Sequence, residues 1–223
     1  MAALEIAKQV KNAILYTNGA IRIDNLIASY PHLDVRWSKV DSKTGKKPPE
    51  KYSIVGLADK KTHGEAYELI EEVIKQVEKE AKIKVGLDDW FLRDGDRSRK
   101  DECVGRWTIN ASEQRGVTIR DMKGNKLRDE KDNLVGVDDT NEIKEMFYPG
   151  CMVSIMIRPW AQNHQEYGKK INAGLVAVKL MSDKTPRIGG EQMTDDGAWN
   201  DGDDEPSGTG GGNTDLDDDD DAL

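Results

Sequence analysis

Apolar and polar positions alternate over Ala20-Ile21-Arg22-Ile23-Asp24-Asn25-Leu26-Ile27, which predicts a strand ending near Tyr30-Pro31. The alternation resumes at Tyr52-Ser53-Ile54-Val55-Gly56-Leu57, at Val104-Gly105-Arg106-Trp107-Thr108-Ile109-Asn110 and over residues 116–120. It is strongest in Cys151-Met152-Val153-Ser154-Ile155-Met156-Ile157-Arg158 and in residues 171–181. A helical period replaces it over residues 62–81, where Tyr67, Ile70, Val73, Ile74, Val77 and Ala81 form one stripe opposite a Glu and Lys face. Thr62-His63-Gly64-Glu65 has the form of a capping box, so this segment reads as a helix packed on a sheet. The opening MAALEIAKQVKNAILY reads as a short helix or frayed arm.

The segments between carry turn chemistry and positive charge. Residues 32–50 and 88–102 are predicted loops, Met122-Lys123-Gly124-Asn125-Lys126 a turn, and the stretch to about Phe147 a polar connection. Residues 159–170 read as a substantial hairpin loop between the last two strands. Five or six strands and one helix make a mainly β body with no internal repeat, occupying residues 1–190 as one domain. Beyond residue 190 the chain is Asp, Gly, Ser and Thr with too little apolar surface to offset ordering entropy, so residues 191–223 are expected to be a disordered tail.

Charge sharpens this division. The tail carries thirteen carboxylates and no Lys or Arg; removing them from the chain's 42 acids leaves 29 against 33 bases in residues 1–190. The body is therefore +4 while the whole chain is −9. A mean hydropathy of −0.73 and the lack of an apolar run near the ~20 residues of a membrane helix argue against a membrane span. The N-terminus lacks a secretory h-region, and two cysteines, Cys103 and Cys151, do not make a disulfide framework, so a reducing cytoplasm is expected. The sequon at Asn110-Ala111-Ser112 is then fortuitous.

Catalytic patterns are absent from the sequence. His32, His63 and His164 have no metal-ligand spacing, and His164-Gln165-Glu166 lacks the Pro-Cys-x-x-Cys that completes a zinc deaminase signature. The glycines at 208–212 follow no strand and open no helix, and the tail's aspartates do not match an EF-hand loop. No cofactor, metal site or enzyme activity is expected.

Binding chemistry is better represented. Single-stranded nucleic acid is held by cations along its phosphates and by aromatic faces under its bases. Arg36-Trp37, Arg106-Trp107 and Arg158-Pro159-Trp160 place the two side by side, and Trp90-Phe91 precede Arg93, Arg97, Arg99 and Lys100. Trp37, Trp160 and Tyr167 are stacking candidates, with Trp107 poised between stacking and core packing. The phosphate candidates are Arg36, Lys46, Lys47, Arg97, Arg99, Lys100, Arg106, Arg158, Lys169 and Lys170. The acidic tail imitates the charge of a nucleic-acid strand. Trp199, the run Asp217, Asp218, Asp219, Asp220, Asp221 and the terminal Leu223 offer a handle for partner proteins.

With those residues in view, the chain resembles the acidic-tailed, OB-fold single-stranded DNA-binding proteins of bacteriophages, typified by those of podoviruses. The resemblance is carried by Ser29-Tyr30-Pro31-His32-Leu33, Lys51-Tyr52-Ser53, Leu92-Arg93-Asp94-Gly95-Asp96, the segment Gly105-Arg106-Trp107-Thr108-Ile109-Asn110-Ala111-Ser112, Phe147-Tyr148-Pro149-Gly150-Cys151, Gly174-Leu175 and the tail. It implies a five-stranded Greek-key barrel with one inserted helix. It also implies sequence-tolerant single-stranded DNA binding in replication, recombination and repair, a tail that docks replication or recombination enzymes, and residence in the host bacterium's cytoplasm. The chain departs in ending on Leu223 where an aromatic terminus is common. The barrel's ligand face would be flanked by residues 32–50 and 159–170. Two rivals are an acidic DNA mimic or histone-like chaperone gripping a basic partner through its tail, and a metal-dependent nuclease. Oligomeric state, a homodimer included, is left open by the sequence.

Overall fold

The structure is a computed structural model that describes residues 4–40, 45, 47–165 and 168–189. Five strands close into a barrel: β3 (Ile21–Trp37), β4 (Lys51–Asp59), β6 (Arg106–Glu113), β9 (Met152–His164) and β10 (Gly168–Ser182). β3 pairs with β4 and β4 with β6, both antiparallel. β6 joins β10 in parallel, and β10 returns through β9 to β3. That circuit is the Greek key of the OB-fold, and closure removes the free edges an open sheet would expose.

The alternation read from the sequence sets the inside. Ile21, Ile23, Val153, Ile155 and Ile157 are fully buried where β3 meets β9, with Ile21 opposite Ile157 and Ile23 opposite Ile155. The parallel seam pairs Ala173 with Ala111 and Gly174 with Ser112, small residues that let the two strands meet. Gly56 is needed for contact rather than for backbone freedom, since a Cβ there would lie 2.7 Å from Leu26 Cδ1.

Helix α1 (Gly64–Glu80) lies between β4 and β6 in sequence and buries Ile70 and Ile74 against the barrel. Its apolar face is wider than the predicted stripe, because Ala66 and Leu69 pack on Ala13 of an N-terminal hairpin, whereas Ala81 is exposed. The expected capping box does not form. His63 is the N-cap without a side-chain cap, Thr62 Oγ1 lies 2.8 Å from His63 Nδ1, and Glu65 instead accepts from the Lys11 amide at 3.3 Å.

Four further expectations are corrected. The opening stretch is neither helix nor frayed arm but the hairpin β1 (Ile6–Val10) and β2 (Ala13–Tyr16), turned at Lys11-Asn12 with Asn12 at φ +62°. Burial of Ala13, Ile14 and Tyr16 overrides the helix propensity of its Ala, Leu and Lys residues. Residues 32–37 are strand, because β3 continues through Pro31 by way of a bulge with Tyr30 at φ +47°. Residues 159–164 and 168–170 are paired strand rather than loop, their ladder extending to His164 opposite Gly168. The polar connection contains the short pair β7 (Thr118–Arg120) and β8 (Lys126–Arg128) and a helix, α2 (Thr140–Met146), N-capped by Asp139 and buried at Ile143. A minor strand, β5 (Leu92–Asp94), pairs with β6.

That connection also holds a repeat that the composition conceals. Asp121 accepts from the amide and side chain of Asn125 at 2.7 and 2.8 Å, and Asp129 does the same with Asn133 at 2.9 Å each. The two Asp-x-Lys-x-Asn turns place Gly124 at φ +92° and Asp132 at φ +73° in equivalent positions. Both cysteines are buried, and desolvation pushes the Cys151 thiol up to about 12.

Candidate nucleic-acid interface

Two adjoining hollows of about 650 and 370 Å³ share Tyr30, Val55, Trp90, Arg93 and Asn110 and together form one trough across the outer face of β3, β4 and β6. One wall is the segment 87–100. It is fastened by the amide of Phe91 on the carbonyl of Ile171 and by Trp90 Nε1 on Glu78 of α1. Trp90 and Phe91 are 6% and 4% exposed, so they build the wall and present little ring to solvent.

Aromatic faces occur at intervals along it. His32 and Trp37 are stacked with centroids 4.5 Å apart and planes 9° from parallel, and Trp37 is 46% exposed. Burial lowers the His32 pKa against the opposing pull of the Asp34 carboxylate, so the imidazole is neutral at pH 7 and adds a flat, uncharged surface. Tyr30 is half-exposed, aimed by the bulge's positive φ, with Lys100 Nζ 3.8 Å from its ring centroid. At the other end Trp107 stacks on Tyr67 at 4.4 Å.

The cations lining the trough are Arg93, Arg97, Lys100 and Lys170. Asp88, Asp89 and Asp94 line it too, but two are drawn off: Arg97 lies 3.2 Å from Asp88, and Lys60 binds both Asp94 and Asp96. Hydrogen bonds from Lys60 hold the Asp94 and Asp96 carboxyls below the usual carboxylate range.

The structure thus gathers Trp37, Trp107, Arg97, Lys100 and Lys170 in one trough. Trp160 and Arg158 face outward on β9, opposite Asn172 and Gly174, beside the trough but not lining it. Lys169 is exposed near the tip of the same hairpin, Arg99 is exposed on the 87–100 segment, and Lys47 pairs with Glu50 at 2.6 Å. Arg36 points away from the trough to Asp132 and the Gln114 carbonyl, and Arg106 donates to the Glu102 carbonyl. Lys46, Tyr167, Trp199, Asp217 to Asp221 and Leu223 lie outside the described residues. Tyr30, His32, Arg93 and Asn110 also line the trough, although none is among the stacking or phosphate candidates read from the sequence. Beyond the family landmark Ser29-Tyr30-Pro31-His32-Leu33, the local signal for Tyr30 and His32 is the Pro between them inside a strand pattern, the mark of a bulge.

Among the described residues no group of three or more His, Cys, Asp or Glu could hold a metal ion, and no helix is long and apolar enough to cross a membrane. A closed five-stranded barrel with an aromatic and cationic trough on β3, β4 and β6 defines a ligand-binding OB-fold protein. A family model described as the Enterobacter phage Enc34 ssDNA-binding protein matches residues 21–206, and the chain belongs to this family. The Enc34 single-stranded DNA-binding protein in complex with ssDNA is 38% identical, with a TM-score of 0.71 over 81% of this chain and 96% of that one. A second structure of the single-stranded DNA-binding protein from bacteriophage Enc34 is 35% identical, with a TM-score of 0.72 over 89% and 99% of the two chains. Its C-terminal truncation gives 37% identity and 0.70 over 82% and 97%. A comparison with curated protein sequences finds no match.

Proposed function

We propose that the protein binds single-stranded DNA with little regard for sequence, as the replicative single-strand binder of a phage. The observation that carries this reading is the trough, where exposed Tyr30 and Trp37 alternate with Lys100, Arg93 and Lys170 on the face that OB barrels use for ligands. Stacking under any base and charge along any phosphate run give affinity without base-edge readout. The Enc34 relative, solved with ssDNA, supports the same ligand. Replication, recombination and repair in the cytoplasm of the infected host are the settings in which such a binder would protect transient single strands.

Residues 1–190 bind the DNA in this reading, and residues 191–223 control access to it. Thirteen carboxylates on a Gly-rich chain with a root-mean-square reach of about 30 Å reach an effective concentration on the order of mM, enough to compete with DNA for the cationic trough. DNA that displaces the tail frees its acidic end for replication or recombination proteins. Anisotropy titrations of labelled oligo-dT and an equal-length duplex, with full-length protein and residues 1–190 at two salt concentrations, test both parts. Truncation should tighten single-strand binding, most at low salt where screening is weakest. Equal affinities would reduce the tail to a solubilising segment, and no binding by either form would overturn the DNA reading in favour of an acidic chaperone.

A further inference from the structure

His32 and Trp37 are five residues apart on one strand, and on a regular strand they would face opposite sides of the sheet. They stack because β3 slips against β4 between them. His32 pairs with Ser53 and Trp37 with Lys51, so five steps on β3 span two on β4. The displaced residues 33–36 have an unusual fastening. Arg128 donates to the carbonyls of both Leu33 and Asp34, successive groups that a regular strand turns to opposite edges. Arg36 donates to the Gln114 carbonyl at 2.8 Å and to Asp132 Oδ2 at 2.6 Å.

All of these converge on Asp132. Its Oδ1 accepts from the Tyr52 hydroxyl at 2.8 Å and lies 3.5 Å from Arg128 Nε, which has no hydrogen-bond partner. The Tyr52 ring packs against both guanidiniums, their carbons 5.0 Å (Arg36) and 4.6 Å (Arg128) from its centroid. Arg128 is 2% exposed, so its charge depends on this carboxylate. The backbone is the second observation. Asp132 holds φ +73° at the turn position where the sister turn has Gly124, so a strained aspartate stands where glycine would be free of strain.

We infer that Asp132 is a positioning residue: through Arg36, Arg128 and Tyr52 it locks the slipped segment of β3 and thereby holds His32 and Trp37 together as a base-stacking platform. Arg36 and Arg128 serve this lock and do not contact phosphate. The inference rests on the trough being the single-stranded DNA site, and its test separates the two.

Full-length protein carrying 5-fluorotryptophan reports on Trp37 without DNA, the resonance being assigned with Trp37→Phe. Asp132→Gly, which relieves the backbone while removing the carboxylate, should shift and broaden that resonance; an unchanged resonance overturns the lock. With oligo-dT, Asp132→Gly should weaken binding about tenfold, the worth of one stacked base. In a Trp37→Ala background the same change should cost less than about twofold, since its effect passes through the platform. A loss equal in both backgrounds overturns the inference. Arg36→Gln is the milder variant should Asp132→Gly not fold, and it should weaken binding with no change in the salt slope. A slope reduced by about 0.7 would make Arg36 a phosphate ligand and overturn its assignment. Failure of the wild-type chain to bind oligo-dT overturns the DNA reading instead, leaving the fluorine result to decide on the lock.

Discussion

The trough ends in two stacked pairs of nearly the same geometry, His32 on Trp37 at 4.5 Å and Tyr67 on Trp107 at 4.4 Å. What lies behind each pair differs. Tyr67 comes from α1 and Trp107 from β6, both pack against the main core, and their contact joins the helix to the barrel. His32 and Trp37 come from one slipped strand, and nearly half of Trp37 faces solvent. A ring pair supported by core is chiefly packing, while one held out on an arm leaves a face for a ligand. Stacking geometry alone does not separate the two.

Trp107→Ala should have the largest effect on the fold, a loss of about 2 kcal/mol because a half-buried ring is deleted from a packed junction. Denaturant titration would show it as a lower midpoint with an unchanged slope. Trp37→Ala should lower stability by less than about 0.5 kcal/mol in the same titration, as expected of an exposed position. Its effect belongs in the anisotropy titration, where oligo-dT should bind about 1–3 kcal/mol more weakly. If the two variants exchanged these phenotypes, the contrast between packing pair and platform would be broken.

The smallest expected effect concerns pH. Burial keeps the His32 imidazole below its ordinary value of 6.5 in the folded protein, with the Asp34 charge pulling the other way. The unfolded chain then takes up the proton first, so stability present above pH 6.5 is lost as pH falls through the lower folded value. His32→Phe should flatten that part of the stability profile, and an identical profile would show that solvent screens the shift away.

Much of this fold is legible in the sequence because barrel strands bury one face, and the period of two in residues 20–27, 52–57 and 151–158 reports that burial directly. The features that escape are those decided elsewhere in the molecule. The N-terminal hairpin is helical by propensity and extended only because Ala13 has α1 to meet. Helix α2 carries a sound cap in Asp139, but at seven residues it is too short to show a period. Among site residues, Trp37 and Lys100 stand out by type and neighbours. His32 and Tyr30 do not, because their exposure depends on two bulges whose strongest local sign is Pro31. Arg36 and Arg106, read as phosphate ligands from the tryptophans beside them, point elsewhere because neighbours along a strand face opposite ways.

The sheathed cysteines carry a practical consequence for watching this molecule at work. A thiol whose ionisation is pushed to about 12 stays protonated, and hence unreactive toward maleimide, throughout the neutral range, and Cys103 is only 5% exposed. One cysteine introduced at Lys169, on the rim of the β9–β10 arm, would therefore take a dye selectively in the otherwise native chain. Arrival and departure of single molecules on a strand could then be followed without first stripping the protein of its own sulfur.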